Sequence, residues 1–316
     1  GRARFSPGAI ARGPRIAVIY ISGVIAGGTG GFDPLNGEVV GSKTLVEAIR
    51  SARSDASVRA IVLRIDSPGG SATASDAIWR ELMITRNERA DRPLIASMSD
   101  LAASGGYYIA MPAQVIVAQP ATLTGSIGIF GGKFVTGGVY EKLGARIEST
   151  SIGRNAEINS PARRYNPEEL KKLQEQLQAF YDQFVEKVAD SRHSTPEKID
   201  ALAQGRVWTG RQAKQNKLVD ELGGLDRAIA IAKQRAKIAA DSDVEVVVYP
   251  PRKSFYELLS EQFSGSSDSL QAAALAAWMH ANLTRGEVEA LRAIRGPVSM
   301  FKPGEVLALM PFTFLR

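Results

Sequence analysis

The sequence predicts an α/β fold whose central sheet is parallel. Short runs of β-branched residues alternate with segments of helical periodicity, and the first three such runs end in turns rich in Gly, Ser or Pro. Strands that alternate with helices pair in parallel through right-handed crossover connections. With 316 residues, of which 44% are apolar and 23% charged, the chain is long enough for two domains, or for one large α/β unit with an appendage.

Six short segments are predicted as strands, and all but 145–150 are apolar and rich in Val, Ile and Ala. They are 15–21, 58–65, 93–98, 114–118, 145–150 and 244–249. The glycine-rich segment 27–37 has no helical period and predicts a loop. A helix capped by Ser42 or Thr44 is expected after it, and the apolar spacing over 75–88 predicts a second helix.

After residue 161 the pattern becomes helical. Asn166 is followed by Pro-Glu-Glu and an apolar stripe at spacings of three and four that continues to Val188, which predicts a long amphipathic helix with a capped start. Thr195 precedes Pro-Glu and predicts the cap of a second helix. A third helix is expected to begin at Thr209, and the glycine pair at 223–224 is a typical helix stop.

The expected domain organisation has three parts. Residues 1–13 form an N-terminal linker, 14–250 one domain with a helical arm at 165–238, and 251–316 a C-terminal helical tail. The tail is predicted to contain two short helices and an apolar end at 307–315. Because so short a segment is unlikely to fold alone, we expect it to pack on the core or on a partner.

Composition excludes several kinds of site. The chain contains no cysteine and only two histidines, His193 and His280. The lack of cysteine excludes disulfide scaffolds, thiolate zinc sites and cysteine nucleophiles. A histidine-based triad would have only these two histidines available. His193 falls in a predicted turn and His280 in a predicted helix, where non-catalytic roles are expected for both. We predict neither a cofactor nor a metal.

The net charge and the longest uncharged segment indicate how the chain could interact with a membrane. The net charge of +6 is compatible with contact with anionic lipid surfaces. Residues 101–132 carry no charge and are long enough to cross a bilayer, but their Gly, Pro, Gln and Thr residues predict a buried, loop-rich catalytic core instead. The sequence does not open with Met and shows no signal peptide, so we expect any membrane anchor to lie upstream.

Three turns that follow predicted strands hold the residues best suited to catalysis. They are 66–70 (Asp-Ser-Pro-Gly-Gly), 102–106 (Ala-Ala-Ser-Gly-Gly) and 124–128 (Thr-Gly-Ser-Ile-Gly). Loops at the carboxyl ends of parallel strands converge, and backbone N–H groups in such turns can bind an oxyanion. Ser104 lies among small neighbours, as a nucleophile on a tight turn requires. The alternative is that these are ordinary tight turns, which is less plausible for three in succession.

These turns, together with 107–108 (Tyr-Tyr), Leu123, Ile129, 189–193 (Ala-Asp-Ser-Arg-His) and 205–210 (Gly-Arg-Val-Trp-Thr-Gly), resemble the signal peptide peptidase A family. These are membrane-associated bacterial Ser-Lys peptidases of the ClpP/crotonase superfamily. The resemblance covers about residues 14–248 and implies a spiral of parallel strands with flanking helices. It further implies that Ser104 is the nucleophile, that the backbone N–H groups of Gly70 and Gly105 form the oxyanion hole, and that Ser126 orients a general-base lysine.

The lysine itself is missing from its expected position. Short family members carry it in a Gly-Lys-Tyr-Lys-Asp-like stretch before Ser-Pro, whereas here Ala156 occupies that place. Arg154 cannot substitute, because a guanidinium does not release its proton near neutral pH. Long members are tandem repeats with the lysine in the first half and the serine in the second. The chain resembles the second half, and loss of the base in an inactive chain is the alternative.

The function predicted is therefore a serine endopeptidase that degrades cleaved signal peptides and other hydrophobic peptides. A catalytically incomplete scaffold half and a crotonase-type acyl-CoA enzyme are the alternatives, although the latter usually acts through carboxylates. The resemblance also implies a homo-oligomer, with contacts through the helical arm, and no nucleic-acid partner. The expected location is the bacterial inner membrane, with the catalytic domain on the periplasmic face.

Overall fold

The computed structural model describes residues 13–33, 37–145, 147–250, 301 and 304–310. In this part of the chain the strands form two sheets. The larger sheet contains β1 (Arg15–Ser22), β5 (Val58–Ser67), β7 (Leu94–Ala103), β8 (Val115–Ala118), β9 (Leu123–Gly125), β10 (Val207–Thr209), β11 (Glu221–Leu222) and β12 (Glu245–Tyr249). The smaller contains β2 (Val24–Ala26), β3 (Gly30–Asp33), β4 (Gly37–Gly41), β6 (Gly69–Ser71) and β13 (Leu307–Leu309).

The larger sheet is parallel, as predicted. Its strand order is β10-β9-β7-β5-β1-β12, and β8 pairs with both β7 and β11. All of these pairs are parallel except β9–β10. Side chains of β1 alternate between two buried layers: Ala17, Ile19 and Ile21 face one layer, and Ile16 and Val18 face the other. A sheet buried on both faces explains why its strands are continuous apolar runs.

Helices cover both faces of this sheet. They are α1 (Ser42–Ser54), α2 (Ala72–Glu88), α3 (Gly105–Ala110), α4 (Gly137–Lys142), α5 (Pro167–Ser191), α6 (Pro196–Asp200), α7 (Gly210–Gln215) and α8 (Leu225–Arg235). Apolar residues of α1, α2, α3 and α5 share one layer with β1, and those of α8 share the other. The layers together form an α/β unit of the predicted class.

The predicted helix starts of the arm are confirmed. Asn166 and Glu169 form a reciprocal capping box at the start of α5, with N···O distances of 2.8 and 2.9 Å. Thr195 caps α6, and Thr209 caps α7. The predicted start of α1 is wrong, because Gly41 is its N-cap residue and no side chain caps it; the hydroxyl of Thr44 instead donates to the carbonyl oxygen of Thr29 at 2.7 Å.

Three further sequence expectations are corrected. The segment 27–37 is not only a loop, because β3 and β4 pair there as antiparallel strands. Residues 145 and 147–150 form no strand. They are exposed, and no strand of the described ranges forms backbone hydrogen bonds with them. The helical tail predicted at 251–316 also contains a strand, because β13 lies in its apolar end; β13 pairs with β6, so this part packs on the core, as the sequence predicts. The two tail helices, like most of the predicted linker 1–13, lie outside the described residues.

The described ranges contain eight helices, of which α5 and α2 are the longest. None of the helices described there combines the length and the hydrophobicity that crossing a bilayer requires. The uncharged segment 101–132 forms part of β7, α3, β8 and β9, as expected for a buried core.

Candidate active site

Ser104 is the turn residue between β7 and α3. Its backbone has φ 54° and ψ −115°, a conformation that costs an L-residue energy and persists only where the surroundings impose it. The Ser104 N–H donates to the carbonyl oxygen of Gly125 at 2.8 Å, and its own carbonyl accepts from the Tyr108 N–H at 2.8 Å. The residue is fully buried. A serine held on a sharp strand-to-helix turn has the geometry of a nucleophile elbow.

Ser126 leaves the sheet beside Ser104. Strands β7 and β9 are parallel neighbours, and their last paired residues are Ala103 and Gly125. Each serine directly follows one of these residues, so the sheet register places the two turns side by side. Ser126 also has a positive φ, of 47°, and its exposed fraction is only 2%. The structure therefore brings together the two serines that the sequence singled out.

The segment 205–210 supports the Ser126 turn. Its strand β10 pairs with β9, and the Ser126 N–H donates to the carbonyl oxygen of Arg206 at 2.7 Å. Trp208 packs against Gly125, where an added Cβ would lie 2.7 Å from the indole Cδ1. The indole N–H of Trp208 donates to Leu202 at 3.0 Å. This supporting role was not predicted, because the pattern gave no indication that the segment forms a strand beside the turn.

The turn that carries Gly70 lies against the start of α3. The Ser67 hydroxyl donates to the carbonyl oxygen of Gly23 at 2.7 Å and accepts from the Gly69 N–H at 3.1 Å, which fixes the Gly-Gly turn. A Cβ added to Gly105 would lie 3.1 Å from the Cα of Gly69. Gly105 is the first residue of α3, where backbone N–H groups have no partner within the helix. The two glycines predicted for the oxyanion hole thus lie in touching turns.

Both of these positions require glycine. At Gly70, with φ 159°, a Cβ would overlap the carbonyl oxygen of Ile25. At Gly105 a Cβ would lie 2.6 Å from the hydroxyl oxygen of Ser75 and 2.9 Å from the carbonyl oxygen of Ala308. The lack of a side chain lets backbone approach backbone at the point where Ser104 emerges.

Comparison with known proteins identifies the family. The model of peptidase family S49 matches residues 86–239. A protein of Enterococcus faecium, named a signal peptide peptidase SppA, is 32% identical over 235 residues, which are 74% of this chain and 67% of the relative. The chain belongs to peptidase family S49.

Longer relatives in the S49 family match as well. The chloroplastic serine protease SPPA of Arabidopsis thaliana is 44% identical over 250 residues, which are 78% of this chain and 36% of that protein. Protease 4 of Salmonella typhi is 38% identical over 295 residues, which are 92% of this chain and 46% of that protein. The chain therefore spans less than half the length of these two relatives. Family membership and the parallel sheet together confirm the ClpP/crotonase-like assignment made from the sequence.

The expected lysine position of this S49 chain is on the surface. Ala156 lies in a turn, where its N–H donates to the carbonyl oxygen of Gly153 at 3.3 Å, and the residue is exposed. The structure thus places a methyl group, and no amine, at the position that carries the base in short members.

Three lysines of the described residues are partly buried, and all are engaged elsewhere. Lys233 donates to the carbonyl oxygens of Ala240 and Ser242 at 2.6 and 2.7 Å. The ammonium of Lys133 donates to the carbonyl oxygen of Ile158 at 2.7 Å, and burial lowers its pKa. Lys187 forms an ion pair with Asp76, and its Nζ lies 3.6 Å from the ring centroid of Trp79. Among the described residues, none of these three ammonium groups hydrogen-bonds to Ser104 or Ser126.

The two tyrosines after the Ser104 turn anchor α3 to the core. The Tyr107 hydroxyl donates to the carbonyl oxygen of Leu218 at 2.9 Å, and burial raises the pKa of this tyrosine. The Tyr108 hydroxyl donates to Asp76 at 2.6 Å; burial, followed by this hydrogen bond, raises its pKa too. Both phenols are therefore neutral near pH 7 and act as fixed hydrogen-bond donors. This anchoring holds the helix whose first residue is Gly105.

Metal-binding side chains do not gather in the described part of the S49 chain. No group of three or more His, Asp or Glu residues is placed there to hold an ion. His193 lies just beyond the C-terminus of α5 with φ 50°, in the predicted turn, and His280 lies outside the described residues.

Proposed function

We propose that this chain carries the nucleophile of a serine endopeptidase that hydrolyses extended hydrophobic peptides. One observation carries the proposal: Ser104 and Ser126 leave adjacent parallel strands side by side, directly after the Ala103–Gly125 pair. Membership of peptidase family S49 supports the same reaction, and it argues against acyl-CoA chemistry.

In the first step the Ser104 Oγ attacks the carbonyl carbon of a substrate peptide bond. The hydroxyl proton passes to a lysine amine, which later returns it to the leaving nitrogen, and water then hydrolyses the serine ester by the same route. The backbone N–H groups of Gly70 and Gly105 stabilise the negative oxygen of the tetrahedral intermediate. Removal of one such donor typically slows catalysis by about 10²–10³-fold.

The base is a lysine from a second α/β half, and Ser126 orients it through a hydrogen bond. Support comes from Ala156 at the surface and from relatives more than twice as long as the matched segment. A lysine acts as a base only when burial lowers its pKa toward ~7–8, so it has to arrive in a dry pocket. Ser104 itself is fully buried, as such a site requires.

The substrates are cleaved signal peptides and other apolar peptides, and the location is the bacterial inner membrane, facing the periplasm, with the anchor upstream. The name of the Enterococcus faecium relative supports this substrate class. We further propose a homo-oligomer. The exposed apolar side chains of Phe134, Val139, Leu143 and Ile152 form a surface that a neighbouring subunit can cover, in addition to the helical arm.

The test is covalent labelling of the chain by a fluorophosphonate probe, with the modified residue located by mass spectrometry. We expect labelling at Ser104 and its loss in Ser104→Ala, with the thermal midpoint little changed because one small turn residue replaces another. Ser51→Ala, on the exposed face of α1, is the matched control and keeps full labelling. Labelling is measured in the chain together with its lysine-bearing second half, because Ser104 needs a base in order to react. Absence of label at Ser104 in that folded protein would favour the scaffold alternative that Ala156 suggests.

A further inference from the structure

Residues 304–310 run across the candidate active site between two other segments. On one side β13 pairs antiparallel with β6, and two hydrogen bonds extend this pairing: Ala72 N–H to Val306 O at 3.0 Å and Met310 N–H to Pro68 O at 2.8 Å. On the other side, Phe130 and Leu307 exchange backbone hydrogen bonds of 3.0 and 2.8 Å. The segment is therefore held as the middle strand of three.

The register places a carbonyl group at the two glycines of the oxyanion hole. Ala308 lies opposite Gly70, midway between the two bonded pairs that flank it. Bonded pairs recur every second residue in an antiparallel ladder, so the Gly70 N–H points at the carbonyl oxygen of Ala308. The same oxygen would lie 2.9 Å from a Cβ added to Gly105. The Ala308 carbonyl thus meets both glycines beside Ser104.

The side chains of this segment are buried on both faces. Leu307 and Leu309 pack with Val24 in one apolar cluster. Val306 and Ala308 pack with Ala72 in another. All four have exposed fractions of 3% or less, and Ser104 beneath them is fully covered. An extended apolar peptide bound by strand addition would make the same kinds of contact.

We propose that residues 306–310 occupy the peptide-binding groove of the active site in the manner of a substrate, so that the chain carries its own competing occupant. This inference rests on the proposed function, because it takes the Ser104 turn as the catalytic centre. Peptide substrates enter only when β13 is displaced, and their apparent affinity falls by the fraction of molecules in which the groove is free.

The experiment measures binding of a fluorescein-labelled peptide with the sequence of residues 304–310 by fluorescence anisotropy. Three proteins are compared: the full chain, the chain lacking residues 304–316, and a control lacking only 311–316, which keeps β13. We expect the first deletion to bind the peptide at least ~10-fold more tightly than the other two proteins. Leu307→Pro in the full chain removes the N–H donated to Phe130 and is expected to increase binding as well.

Equal binding by all three proteins would overturn the proposal. So would absence of binding by both the 304–316 deletion and Leu307→Pro, when circular dichroism shows that either is folded. Fluorophosphonate labelling of the same proteins, each supplied with the second half that contains the lysine, separates this result from the proposed function. If Ser104 is labelled but all three proteins bind the peptide equally, only the proposal that residues 306–310 occupy the groove is rejected. If the 304–316 deletion binds the peptide more tightly than the other two proteins but Ser104 is never labelled, the proposed peptidase function is rejected. The proposal that residues 306–310 occupy the groove then still stands.

Discussion

The backbone N–H of Ser104 donates a 2.8 Å hydrogen bond to the carbonyl oxygen of Gly125, the residue directly before Ser126. This bond continues the parallel pairing of β7 with β9 by one step, beyond the last paired residues. The positive φ values of both serines are therefore set by one local network. A change in either turn is expected to alter the other.

Installing a lysine at the vacant position is expected to restore part of the missing catalysis. Ala156→Lys should raise hydrolysis of a fluorogenic hydrophobic peptide by the isolated chain by less than the ~10²–10⁴-fold that a buried base supplies, because Ala156 is exposed and a lysine there stays largely hydrated. The rate should increase with pH as the amine deprotonates. Ala156→Arg is the matched control, since a guanidinium keeps its proton, and it should give no gain. Strong wild-type activity that depends on Ser104 would show that another base on this chain is sufficient.

Loss of the second serine is expected to weaken catalysis without abolishing it. Ser126→Ala removes the hydroxyl that we assign to orienting the lysine, so kcat should fall by less than the ~10²–10⁴-fold that the base supplies. The pH dependence of kcat should also shift, because the amine loses a hydrogen-bond partner. Both are measured in the protein that contains the base. An unchanged rate and pH profile would reduce Ser126 to a turn residue.

A methyl group at Gly105, which we propose as part of the oxyanion hole, is expected to disturb both stability and activity. In Gly105→Ala the new Cβ would lie 2.6 Å from the Ser75 hydroxyl oxygen and 2.9 Å from the Ala308 carbonyl oxygen. Overpacking of this kind costs about 1–3 kcal/mol, and a displaced N–H donor costs about 10²–10³-fold in rate. Gly27→Ala is the control, because nothing lies within 4 Å of its Cβ position. Urea unfolding and labelling rates measure the two effects, and equal behaviour of the two variants would contradict the prediction.

Acid is expected to weaken the start of α5. Hydrogen bonds from Arg163, followed by that from the Asn166 N–H, lower the pKa of Glu169 to about 2. An unfolded glutamate titrates near ~4.3, so the stabilisation is present above that pH and is lost as pH falls toward about 2. The Tm difference between wild type and Glu169→Gln should therefore shrink between pH 5 and pH 2. Glu168→Gln, at the exposed neighbour, should show no such trend; a constant difference for Glu169→Gln would disprove the assignment.

Local signals predicted the regular parts of this structure well. The helix starts at Asn166, Thr195 and Thr209 follow from hydrogen bonds within a few residues, which a sequence displays directly. The long apolar strands of the parallel sheet are equally visible, since burial on both faces makes them continuous runs.

Elements that depend on distant partners were missed. The three-residue strands β9 and β10 are too short to have a period of their own, and they exist because β7 accepts β9. Residues 145 and 147–150 were predicted to lie in a strand, but no strand of the described ranges pairs with them. The juxtaposition of Ala308 with Gly70 joins residues from opposite ends of the domain, and nothing local in either segment encodes it.

The position of β13 has a consequence for solubility. Strand β6 pairs with β2 on one side and with β13 on the other. Without β13, the free edge of β6 would present unpaired backbone groups in an apolar groove. Such an edge is a template for edge-to-edge association with other chains. The seven residues from Gly304 to Met310 therefore also prevent two copies of the molecule from pairing through the edge of β6. Any condition that displaces them should produce concentration-dependent β aggregation.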